Sequence, residues 1–225
     1  MNEAGLLLAS VFSAGTVLAL AGLGLLINEK AGVINLGAEG MMLCAALAGY
    51  AACVHTGSEW LGFAAGMGAG AVLAGVLGWL VIWLNTNQSA TGLALSLLGA
   101  GLSAFVGVPY TQQALPARSH FAIPVLSELP LVGKMLFMQH PMVYVSVASA
   151  LFLVWFFYCS RAGLVLRSVG ESPVSAHALG YPVRRIRLAA VVAGGALCGL
   201  AGAYISTVYT PLWVEGMVAG RGWIA

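Results

Sequence analysis

Six stretches of this chain are each about twenty residues long and almost free of charge, and this pattern restricts its fold more than any other feature. A bilayer core of roughly 30 Å is crossed by about 20 apolar residues in a helix. Lipid satisfies no backbone N–H or C=O, so segments of this length close their own hydrogen bonds as α-helices. Read this way, spans lie near residues 5–27, 36–54, 61–84, 89–108, 141–159 and 188–210. Composition agrees: 60% of residues are hydrophobic, 7% are charged and there is no Asp, where a soluble domain carries about a quarter charged. Seven Glu and nine Lys or Arg cannot clothe a water-facing surface on 225 residues. The expected fold is an all-α, polytopic transmembrane helical bundle of about six spans, one domain over residues 1–225.

Small residues recur at helix-face spacing within the spans. Gly62, Gly66, Gly70, Ala74 and Gly78 do so in the third, Gly92, Ser96, Ala100 and Ala104 in the fourth, and Gly195, Gly199 and Ala203 in the sixth. Such stripes are packing faces that let backbones approach where lipid gives no hydrophobic drive for association. The second span is less regular. Glu39 sits inside it between Gly37 and Gly40, so a broken or re-entrant helix is an alternative to a clean crossing.

Charge orients the bundle. Arg161, Arg167, Arg184, Arg185 and Arg187 are five of the nine Lys and Arg, and the positive-inside bias makes residues 160–187 a cytoplasmic loop. Counting back puts Pro109–Pro141 outside, Asn85–Gln88 inside, His55–Trp60 outside and Asn28–Asn35 inside, with an external N-terminus. A re-entrant second span would invert everything before it. The external segment holds five of the eight prolines (Pro109, Pro116, Pro124, Pro130, Pro141), which excludes one continuous helix there.

Within the basic loop a short helix has both ends encoded. Ser172 suits the N-cap and Pro173 the first helical position. Gly180 suits a left-handed residue after the last turn, and Pro182 blocks continuation. About two turns are too few to hold in water alone, so the helix packs on its own bundle or is displayed to a partner.

Gly170-Glu171-x-Pro173-x-x-Ala176-x-x-Leu179-Gly180 resembles the cytoplasmic coupling loop of ABC importer permeases. The segment from Arg161 to Ser206 resembles permeases related to branched-chain amino acid, ribose and nucleoside importers. Residues 28–42, 130–137 and 216–225 are similar to the nucleoside and simple-sugar subgroup. The resemblance implies a permease subunit translocating nucleosides or related simple sugars across a bacterial cytoplasmic (inner) membrane. It implies three partners: a cytoplasmic ATP-binding subunit docking on Gly170, Glu171, Pro173, Ala176, Leu179 and Gly180, a second permease subunit, and an external substrate-binding protein. Family members continue with further membrane helices beyond the stretch ending at Ala225, so the chain is expected to be C-terminally shortened relative to them.

Other chemistry is poorly supported by the residues. No GxxxxGK[ST] pattern is present, so ATP hydrolysis is expected in a partner subunit. His55, His120, His140 and His177 are scattered without a paired acid or nucleophile, which argues against an enzyme. Cys44, Cys53, Cys159 and Cys198 show no metal spacing, and neither a cofactor nor a metal is expected. A net charge of +2 gives no reason to expect nucleic acid. Glu39 with Asn35 is a candidate for the substrate path, against a local reading in which Asn35 caps the second helix and Glu39 sits at its positive end. Asn87 and Gln88 are either path-lining hydrogen-bond groups or a helix cap in a solvated turn. Trp213 and Trp223 are either stacking groups or interfacial anchors. The competing function class is a self-powered secondary carrier or channel for a small polar solute, whose ion ligands would lie within the spans; only Glu39 fits that requirement.

Overall fold

A computed structural model describes residues 3–111, 113, 115 and 139–225, with side chains from Ser10 onward. The expected external segment, including Pro130–Phe137 and His120, falls almost entirely outside the described residues. Six helices are long and apolar enough to cross a membrane: α1 (Glu3–Lys30), α2 (Ala38–Thr56), α3 (Glu59–Trp83), α4 (Gln88–Gly107), α5 (Pro141–Cys159) and α8 (Val183–Tyr204). Between α5 and α8 lie α6 (Arg161–Glu171) and α7 (Pro173–Ala178), and a four-residue α9 (Arg221–Ile224) follows.

The small residues decide which helices lie inside. Buried positions make up 61% of the spanning window of α2 and 67% of that of α8, against 28% for α5. A Cβ added at Gly70 would overlap the Gly195 carbonyl, one at Gly199 the Gly66 carbonyl and one at Gly202 the Met42 carbonyl. Backbone therefore meets backbone along α3–α8 and α2–α8, and the dispersion contacts of that approach hold the centre together. The stripe expected in α4 shifts. Its buried face is Gly92, Ser96, Gly99, Ser103 and Gly107, because the backbone contact with Gly40 of α2 selects Gly99 over Ala100. Ser96 Oγ donates to the Leu36 carbonyl at 2.8 Å, and Gly99 rests on Gly40.

Contacts at the helix ends fix the alternation. At one end Ile34 N donates to Gln88 Oε1 at 2.7 Å, Arg187 Nε donates to the Ala31 carbonyl at 2.9 Å, and Gly170 sits on Lys30 and Gly32. At the other, His55 meets Tyr110 at 3.1 Å and His140 meets Glu59 at 3.1 Å. The second span is thus an unbroken crossing, and the re-entrant alternative is overturned. Glu39 is accommodated because it lies in the first turn of α2, near the bundle end.

The last span begins five residues earlier than expected, so Arg184, Arg185 and Arg187 occupy its first turn or two. Long cationic side chains tolerate this by reaching past the apolar boundary. At its far end α8 closes with a π turn (Ile205–Tyr209). Trp213 then packs, buried, against Gly107 at that end, and Gly222 rests on Glu39 near the opposite end. Residues 215–220 form successive turns, so 213–222 passes from the middle of α2, where Trp213 meets Ala46, Leu47 and Tyr50, to Glu39 in its first turn without a long helix. Trp213 is consequently a core residue, not an interfacial anchor.

Candidate coupling and inner-end site

The segment from Ser160 to Gly180, the candidate for coupling, is built from two caps. Ser160 Oγ accepts from Gly163 N at 2.9 Å and donates to the Phe156 carbonyl at 2.6 Å, so α5 ends and α6 begins in one sharp corner. Gly163, Leu166 and Val169 form the buried stripe of α6; Leu166 joins Ile27, Leu153, Phe157 and Ala190 in a shared core. This helix was not anticipated as an element, although its Ser cap and three-residue apolar step were readable.

After it, α7 forms as expected. Ser172 Oγ accepts from Ser175 N at 3.4 Å, Pro173 opens the helix and Gly180 adopts φ +87°. Its faces differ sharply: Ala176 is 3% exposed, whereas Val174 and Leu179 are 82% and 78% exposed. Glu171 is exposed at the end of α6. Ala176 is therefore the residue seating α7 on the bundle, while Val174, which the motif leaves unspecified, is displayed. A groove of about 780 Å³ lies alongside, lined by Trp83, Val174, His177, Pro182, Arg184 and others.

Beneath this surface lies the turn joining α1 to α2. A Cβ at Gly170 would overlap the Lys30 carbonyl, so only glycine lets α6 sit this closely on the end of α1. Arg187 donates to the Ala31 and Gly32 carbonyls, covering open acceptors at that end of α1. In the sequence Arg187 marks the basic loop; the carbonyls it caps lie some 155 residues away.

The polar candidates gather at the same end. Asn35 Oδ1 accepts from Gly37 N at 3.0 Å and thus holds the turn before α2; the N-cap itself is Gly37, so the expectation that Asn35 caps the helix is corrected. Asn87 caps α4, accepting from Ala90 N at 3.1 Å, and Gln88 ties the two connections together through Ile34 N. Glu39 has a less local role: Oε1 accepts from Gly220 N at 2.9 Å and Oε2 from Gly222 N at 2.7 Å. Two motifs separated by some 180 residues are therefore one structural unit. No group of three or more His, Cys, Asp or Glu able to hold a metal occurs among the described residues.

Comparison with known proteins agrees with this architecture. The sequence model of the family described as branched-chain amino acid transport system / permease component matches residues 7–225. The chain is similar to a Haloferax volcanii protein named "Putative glucose ABC transporter permease protein TsgC13", 46% identical over 99% of this chain and 68% of the relative. It is 28% identical to the guanosine ABC transporter permease protein NupQ of Bacillus subtilis, over 92% of this chain and 69% of the relative. It is 26% identical to the nucleoside ABC transporter permease protein NupC of Lactococcus lactis, over 100% of this chain and 74% of the relative. No solved structure gives a significant match. With a family match across nearly its whole length and six helices able to cross a bilayer, the chain belongs to the branched-chain amino acid transport system permease family and is a multi-pass ABC transporter permease component, which is not itself catalytic.

Proposed function

We propose that this permease subunit carries nucleosides or related simple sugars inward across a cytoplasmic (inner) membrane, driven by an ATPase that docks on α7. Family membership as an ABC permease replaces the self-powered carrier considered above. The observation that carries the proposal is the display of Val174 and Leu179 on a capped helix beside Arg184 and Arg185, directly after α6, which is seated on the α1–α2 turn through Gly170. A partner pressing on α7 reaches the end of α8 directly and the α1–α2 turn through α6. Relatives named for glucose, guanosine and nucleoside permeases support the substrate class. A second permease subunit and an external binding protein complete the machine in this reading. Asn35, Glu39, Asn87 and Gln88 stand near the inner mouth of the path, where their role is to set its shape.

The test uses membrane vesicles holding the permease with its ATPase and binding protein. Val174→Glu and Glu171→Lys should each cut substrate-stimulated ATP hydrolysis at least tenfold while membrane insertion is unchanged. Unaltered stimulation in both variants refutes the docking assignment. Competition of labelled guanosine uptake by glucose, and the reverse, separates the two cargo classes.

A further inference from the structure

A groove of about 530 Å³ runs between α5 and α8, floored by Ile27 of α1 and bounded by α6. Phe152, Leu153 and Phe156 form one wall, and Ala189 and Ala193 the other. The alanines leave the space that larger side chains would fill. Arg161 is the one charged residue in the lining. It is exposed, and no carboxylate pairs with it among the described residues. As the first residue of α6 it stands at the positive end of that helix, so the helix dipole adds to its field instead of offsetting it.

The level in the membrane is marked independently. Trp155 and Tyr158 are exposed on α5, and such rings collect at the headgroup boundary; Arg167 lies over the Tyr158 ring at 5.3 Å. The groove thus opens from the hydrocarbon zone toward a cation at headgroup height. Its walls suit an alkyl chain and its cation suits a phosphate, and a single membrane molecule carries both.

We propose that this groove binds one acyl chain of an anionic phospholipid whose phosphate pairs with Arg161, fastening α5 and α6 to α8. The inference needs only the membrane placement of these helices and is independent of the cargo and of ATPase docking. It is read without transport: native mass spectrometry of the purified full chain exposed to equal phosphatidylglycerol and phosphatidylcholine. The protein should retain phosphatidylglycerol about fivefold more than phosphatidylcholine, the effect of one basic residue near a membrane surface. Arg161→Gln should equalise the two, and Arg161→Lys should keep the preference. Ala193→Trp, which fills the groove, should lower retention of both lipids, whereas Val72→Trp on the exposed side of α3 should not. Equal retention by the unmodified protein, an unchanged preference in Arg161→Gln, or equal loss in the two Trp variants would each overturn the proposal. So would efficient disulfide dimerisation of Ala189→Cys in native membranes, which would seat a second copy in the groove.

Discussion

Removing the carboxylate of Glu39 should release the descending segment 213–222 from the bundle. Both oxygens accept backbone N–H groups, from Gly220 at 2.9 Å and Gly222 at 2.7 Å. Hydrogen bonds to a charged group contribute about 1.5–3 kcal/mol each, giving roughly 3–6 kcal/mol for the pair. Glu39 is half-buried, and partial solvent access draws the figure toward the lower limit, about 3 kcal/mol. At about 1.4 kcal/mol per tenfold, Glu39→Ala should raise the population of the open segment roughly a hundredfold. Val218 is fully buried within this segment, so a cysteine placed there reports the opening through its rate of thiol modification. The exposed Cys159 is replaced by serine beforehand. Glu39→Gln keeps one acceptor and should raise the rate by about tenfold, half the loss on the logarithmic scale. A rate in Glu39→Ala within twofold of the parent would refute the clamp.

Other outcomes follow from packing and placement. Gly195→Val would drive a side chain into Ala74 and the Gly70 carbonyl and should cost about 3 kcal/mol or more in denaturant unfolding, above the ordinary range for overpacking; Gly68→Ala, with open space around it, should change stability by less than about 1 kcal/mol. Ser175→Cys should react with an impermeant thiol reagent only from the cytoplasmic side, and labelling in intact cells would invert the proposed topology. Gly180, at φ +87°, should tolerate Asn but not Val: Gly180→Val should lose about 1–2 kcal/mol locally and lower ATPase stimulation, while Gly180→Asn retains it.

What was readable in the sequence was what depends on neighbours along the chain. Hydropathy placed the six spans because each must be apolar over its own length. The ends of α7 were legible because Ser172, Pro173 and Gly180 act within a few residues of themselves. Long-range partners were not. Glu39 looked like a charge stranded in a span because Gly220 and Gly222, whose N–H groups it accepts, lie about 180 positions away. The face of α4 was misaligned by a residue because periodicity alone does not show that Gly99 must meet Gly40. Trp213 resembled an anchor because its local context is a span end; its partner, Gly107, belongs to another helix.

The central position of α8 also governs how the protein comes into being. Chains emerge N-terminus first, and α8 is the last of the six long helices, yet Gly24 of α1, Gly70 of α3 and Met42 of α2 all take their close partners from it. The α2–α3 pair can form early through Gly49 and Gly62. By contrast, α1 has no comparable face on either and waits for α8 to join it to them. Lipid tails compete on equal terms for an unmatched glycine face. A ribosome stalled before Val183 would therefore leave two correctly inserted sub-assemblies, α2–α3–α4 and α1–α5, without the helix that joins them, and quality control would meet a bundle in halves.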